Sequence, residues 1–158
     1  MFIPKPTYRI KGNITLLDID QLKNDGLEAI IFDLDSTIME PRSASLKPEV
    51  VELLDRLKPD FKLGILTNNK NEAYLEKVKL AIDIPIITHA RKPSNSGFIN
   101  FQEVFNVNPE KILVIGDRPI PDILGGHLAK MKTCLVEPLQ SEPYWIKLIR
   151  KLEHALLK

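Results

Sequence analysis

Five short apolar runs, each closed by polar residues, constrain this chain most: LEAIIFD, KLGILT, IPIITHA, KILVIGD and KTCLVEP. Runs of this length, rich in isoleucine, leucine and valine, fit strands buried on both faces of a parallel sheet. Between them, KPEVVELLDRLK, KNEAYLEKVKLA, GFINFQEVFNV and DILGGHLAKM carry apolar residues at helical spacing. Strands alternating with helices imply right-handed crossovers, so the expected fold is α/β, three-layered and Rossmann-like. It has a five-stranded parallel sheet with helices on both faces. In the first of these helices Pro48 occupies a tolerated first-turn position, and Val50, Val51, Leu54 and Leu57 are expected to share the buried face.

The 158 residues suit one domain, residues 1–158. It would begin with an irregular arm (1–27) broken by Pro4 and Pro6, and end with an amphipathic helix (143–158). Hydrophobic residues make up 44%, too many for a disordered chain, and the net charge of +1 gives no overall field to recruit nucleic acid. The single cysteine, Cys134, sits in an apolar run and reads as a core thiol. No segment has the roughly 20 apolar residues of a membrane span, so a cytoplasmic location is expected, while the oligomeric state stays open. In the last helix Trp145, Leu148, Ile149, Leu152 and Leu156 recur at helical spacing, beside Lys147, Arg150, Lys151 and Lys158. Packing on the sheet is the ordinary expectation; peripheral contact with an anionic membrane surface is the alternative.

In open α/β sheets, ligands bind outside the carboxyl ends of the strands. Asp33 and Asp35 follow the first run, Thr67 and Asn68 the second, Arg91 and Lys92 the third, and Asp117 and Asp122 the fourth. Crowded carboxylates repel by about 4 kcal/mol per pair at 4 Å in an effective dielectric of 20, and a divalent cation removes that difficulty. All-oxygen donors favour a hard ion, and Mg²⁺ combines one or two carboxylates with water and substrate phosphate. Thr67 and Asn68 can donate to phosphate oxygens, and Lys92 supplies a compact positive charge. Arg118 could touch substrate or pair with a rim acid. His89 and His127 have no partner at ligand spacing, and the GxxxxGK[ST] phosphate loop is absent.

Taken in order, FDLDSTI, ILTN, RKP and GDRPIPD resemble the four motifs of the haloacid dehalogenase superfamily of phosphohydrolases, spanning residues 33 to 122. That resemblance implies that Asp33 attacks phosphorus to form an aspartyl phosphate and that Asp35 protonates the leaving group, then activates water. It further implies that Thr67 and Lys92 hold the phosphoryl oxygens. Mg²⁺ would be bound by Asp33, the Asp35 carbonyl and Asp117, with Asp122 ligating directly or from behind.

Superfamily members usually insert a cap domain after the first motif or between the second and third. Only 33 residues lie between Asp33 and Thr67 and 24 between Thr67 and Lys92, so no cap is expected and the site should accept a phosphate carried by something large. DLDST, ARKP, GDRPIPDILGG and TCLVEPL also resemble the YqeG-like branch, which includes phosphatidylglycerophosphate phosphatases. The substrate implied is a lipid headgroup phosphate at a membrane surface; another phosphomonoester, or a non-enzymatic assembly factor on the same fold, are the alternatives. Pro119 and Pro121 depart from the usual fourth motif and would either stiffen the metal loop or misplace Asp122.

Overall fold

A computed structural model describes residues 2–158. Six strands form one wholly parallel sheet: β1 (Tyr8–Arg9), β2 (Ala29–Phe32), β3 (Lys62–Leu66), β4 (Ile86–Ile87), β5 (Ile112–Gly116) and β6 (Lys132–Leu135). Their order is β1-β6-β5-β2-β3-β4. After β2 the chain winds outward through β3 and β4, then returns to place β5 on the other side of β2. The winding direction therefore reverses at β2, and the crevice this opens lies at its carboxyl end. Registers Phe32↔Ile65 and Phe32↔Ile115 bring the three central strand ends level.

The helices are α1 (Ile19–Asn24), α2 (Pro48–Leu57), α3 (Glu72–Ala81), α4 (Ser96–Phe105), α5 (Gly125–Leu128) and α6 (Tyr144–Ala155). Because side chains alternate along a strand, Ile30 and Phe32 of β2 face a core shared with α1, α2 and α3. Ala29 and Ile31 face the core built on Phe98, Phe101 and Phe105 of α4. Both faces are thus covered, which is why every β2 residue is buried. Neither the crossover after β2 nor the one after β3 contains an inserted domain.

Three expectations need correction. The sheet has six strands, not five: the arm holds β1, which pairs with β6 through Tyr8↔Cys134, and α1, capped by the Asp18 carboxylate accepting from the Gln21 N–H. Two residues following Pro4 and Pro6 carry no periodicity, and only the exposed edge of β6 makes them a strand. On α2 the buried face is Val50, Leu53, Leu54 and Leu57, while Val51 is exposed. DILGGHLAKM is not one helix: Asp122 belongs to a π-helical turn, Pro119–Leu124, and α5 follows it. Cys134 is fully buried, as its neighbours suggest.

α6 also departs from the ordinary expectation. Trp145, Leu148, Ile149 and Leu152 are 62%, 45%, 41% and 62% exposed, and the buried residue of the helix is Glu153. The helix docks by its polar side, and its end is tied down where the Ile3 N–H donates to the Leu156 carbonyl and the Lys158 N–H to the Ile3 carbonyl.

Candidate active site

Asp33 is the first residue beyond β2, and its N–H still donates to the Ile115 carbonyl at 2.9 Å, which fixes its side chain at the mouth of the crevice. The chain then turns tightly: Thr37, Ile38 and Met39 all direct their N–H groups to the Leu34 carbonyl, and Ser36 adopts a φ of 71°. Leu34 is fully buried and anchors this turn in the core. Asp33 and Asp35 consequently share one side, lining a cavity of about 300 Å³ with Thr67, Lys92, Asp117 and Asp122.

Lys92 is the centre of the charge arrangement. Its ammonium lies 2.7 Å from Asp33 Oδ1 and 2.6 Å from Asp122 Oδ1, with the side chain only 3% exposed. Burial works against that charge, but the Asp122 and Asp33 carboxylates outweigh it and raise the lysine pKa. Asn68 fixes the lysine backbone: its Oδ1 accepts from the Lys92 N–H at 2.7 Å and its Nδ2 donates to the Lys92 carbonyl at 3.1 Å. Asn68 Nδ2 keeps a second hydrogen and the residue lines the cavity, so this support of the lysine stands beside the expected donation to phosphate. The neighbouring residues His89 and Arg91 have φ of 53° and 56°, a left-handed conformation that bends this loop over the rim.

Thr67, directly after β3, uses its hydroxyl oxygen to accept from the Asn69 N–H, which leaves the hydroxyl hydrogen free to donate into the cavity. Asp117, directly after β5, accepts from the Thr37 hydroxyl at 3.0 Å on Oδ1 and from Arg150 Nη2 at 2.7 Å on Oδ2. Asp122 accepts from the Arg118 N–H at 3.2 Å, and its carboxyl fills the space a side chain at Gly116 would take. Pro119 and Pro121 fall in the first turn of the π-helical segment, where a missing N–H leaves no bond broken. Arg118 lines the cavity and pairs with Glu153 of α6 at 2.5 Å.

Several contributors were not anticipated. Asn69 Nδ2 and the Tyr74 hydroxyl donate to the two oxygens of Asp35 at 3.0 and 3.1 Å. Arg150 of α6 joins Asp117 to Glu142, donating to the Asp117 carbonyl and lying 2.5 Å from Glu142 Oε1. Asn69 is next to residues already singled out, and Tyr74 stands one helical turn beyond them. Arg150 and Glu142 had no such signal, since α6 reaches the rim only through the tertiary fold.

One carboxylate oxygen from each of Asp33, Asp117 and Asp122 can be chosen so that all lie within 4.8 Å of one another. Even with Lys92 and Arg150 beside them the set is short of positive charge. Burial and the Asp33 and Asp122 carboxylates push Asp117 up to about 8, against the pull of Arg150. Burial likewise pushes Asp122 up to about 6, against Lys92. Burial raises Asp35 too, opposed by the Asn69 hydrogen bond and aided by the charge of Asp33. Three oxygen donors with unmet negative charge suit a hard dication such as Mg²⁺.

A family model described as haloacid dehalogenase-like hydrolase matches residues 15–130. A Bacillus subtilis protein named "Probable phosphatase YqeG" is 31% identical over 147 residues, covering 92% of this chain and 85% of the relative. Phosphatidylglycerophosphate phosphatase 1 of Arabidopsis thaliana is 26% identical over 92% of this chain, which spans only 45% of that relative's length. Among solved structures, a HAD phosphatase from Thermococcus onnurineus superposes with a TM-score of 0.57, at 15% identity, over 75% of this chain and 90% of that one.

Proposed function

The chain belongs to the haloacid dehalogenase-like hydrolases, and from that premise we propose that it hydrolyses phosphomonoesters through a phosphorylated Asp33. The observation that carries this reading is the placement of an Asp33 carboxylate, 2.7 Å from Lys92, in the same cavity as a separately held Asp35. Asp33 attacks phosphorus, and the bond from phosphorus to the ester oxygen breaks. Asp35, whose burial favours its protonated form, gives its proton to the departing oxygen. Asp35, now ionised, takes a proton from water, whose oxygen attacks the same phosphorus and releases inorganic phosphate and free Asp33. Lys92 and the Thr67 hydroxyl offset the charge on the phosphoryl oxygens as it develops. Asp33, Asp117 and Asp122, with the Asp35 carbonyl, would hold Mg²⁺, which supplies charge neutralisation for phosphate beside carboxylate.

As substrate we put forward the terminal phosphate of phosphatidylglycerophosphate. Support comes from the Arabidopsis relative's name, from the lack of an inserted cap, and from the exposed apolar residues Trp145 and Ile149 at the cavity wall. Phosphate release from phosphatidylglycerophosphate, soluble sugar phosphates and an aryl phosphate, each with Mg²⁺ and with EDTA, tests both levels. Faster release from the lipid supports the substrate. Preference for sugar phosphates overturns it, and no metal-dependent release from any of them overturns the enzymatic reading in favour of a binding role. Asp33→Asn should abolish turnover with the fold retained by circular dichroism; a fully active variant refutes the nucleophile.

A further inference from the structure

We propose that the outer face of α6 docks the protein on an anionic lipid surface, with the cavity opening along the edge of the docked helix. At 3.6 residues per turn, Tyr144, Leu148, Leu152, Trp145 and Ile149 fall in one arc of about 140°, and all five are exposed. Ile146, Arg150 and Glu153 occupy the opposite, inward arc. Lys147 and Lys151 lie together along one border of the apolar arc, both exposed.

The exposed face does not result from a loosely held helix. Arg150 is fixed to Asp117 and Glu142, Arg118 to Glu153, and the last turn to Ile3. These ion pairs commit the polar side inward, so the apolar side has no remaining partner within the described residues. Beyond the end of the helix, Phe2 is exposed and carries Lys158 3.8 Å above its ring.

Charge decides between a membrane and a second copy of the chain. The only acid of α6, Glu153, is buried, so every exposed charge on the helix is positive. A two-fold antiparallel copy would set like edge against like edge, lysines facing lysines with no carboxylate on the helix to offset them. An anionic headgroup layer offers the opposite charge to the lysines and an acyl boundary to the apolar arc, with tryptophan and tyrosine suited to the level between. Trp145 and Ile149 belong both to this face and to the cavity wall, so a headgroup beside the docked helix lies next to the carboxylates. The purpose of docking rests on the lipid-phosphate reading above; its measurement does not.

The test is sedimentation of the full chain with vesicles of phosphatidylcholine alone and with about 30% phosphatidylserine, a lipid that carries no phosphomonoester. Binding should require the anionic lipid and weaken with salt. Lys147→Glu with Lys151→Glu should reduce it by about 30-fold, and Leu148→Glu with Leu152→Glu by about 100-fold. Leu148 and Leu152 do not line the cavity, so hydrolysis of a soluble aryl phosphate should be unchanged in the latter variant, which also verifies its fold. No vesicle binding, equal binding by all variants, or a dimer in solution that the leucine substitutions dissociate would each overturn the proposal. Failure of aryl phosphate hydrolysis in every form, with vesicle binding intact, would instead fall on the catalytic reading.

Discussion

Replacing Lys92 by methionine keeps the length of the side chain and removes the cation that bridges Asp33 and Asp122. Those two carboxylates have oxygens within 4.8 Å, which at an effective dielectric of 20 amounts to about 3.5 kcal/mol of repulsion. Deleting one partner of a buried pair costs about 3 to 5 kcal/mol unless the stranded acid takes up a proton. Asp122 has that escape. With Lys92 present, burial already holds its carboxyl near 6, and loss of the lysine raises it further. An acid whose folded pKa rises binds a proton that the unfolded chain releases, so stability falls as pH climbs through the window. Below about 6 both proteins carry the Asp122 proton and the difference between them is flat, about 1 kcal/mol from the lost Asp33 pair. Above about 6 it grows by about 1.4 kcal/mol per pH unit, reaching about 3 kcal/mol near pH 7.5, or roughly 6 to 12 °C in Tm for a chain of this size. Urea unfolding of both proteins in EDTA near pH 5 and near pH 7.5 measures it. An equal loss at the two pH values refutes the bridge between carboxylates as the origin of the effect.

Arg150→Gln removes the cation shared by Asp117 and Glu142, and should cost about 2 to 4 kcal/mol in EDTA. Added Mg²⁺ should then raise the variant's Tm more than the parent's in a thermal shift, since the dication replaces the missing charge on Asp117. In Gly116→Ala the new methyl meets the Asp122 carboxyl, which Lys92 and the Arg118 N–H hold in place. A loss of about 1 to 3 kcal/mol is expected on urea unfolding, with weaker Mg²⁺ stabilisation. Tyr74→Phe deletes a donor to the Asp35 carboxylate, so Asp35 rises further, and the alkaline limb of the kcat/KM profile should move to higher pH.

The difference between what sequence discloses and what it withholds follows the range of the interactions. β2, β3 and β5 announce themselves because strands buried on both faces must be apolar throughout, and each stops where its polar end residue meets the rim. β1 announces nothing, because its two residues are a strand only by virtue of β6. The spacing places Val51 on the buried face of α2 and leaves Leu53 off it for a similar reason. Both are near the edge of an apolar arc, and only the angle at which the helix meets the sheet decides which of them is covered.

The site divides the same way. Asp33, Asp35, Thr67, Lys92, Asp117 and Asp122 converge because each follows a strand of one parallel sheet, and a parallel sheet collects its carboxyl ends on one rim. Asn68 is adjacent to a strand end as well and lines the same cavity, but its bonds to the Lys92 backbone depend on the loop after β4, which nothing in its own neighbourhood signals. The reversal of α6 had the least local signal. Periodicity identified its apolar side correctly, and burial of that side was the reasonable inference from the hydrophobic effect alone. What overrode it is a demand from elsewhere in the chain: Asp117 is buried among other carboxylates and Arg150 supplies a compensating charge, which turns the polar side of the helix inward. A site that must hold so much negative charge therefore dictates the orientation of the helix beside it, and the outward apolar face follows from the chemistry of the inward one.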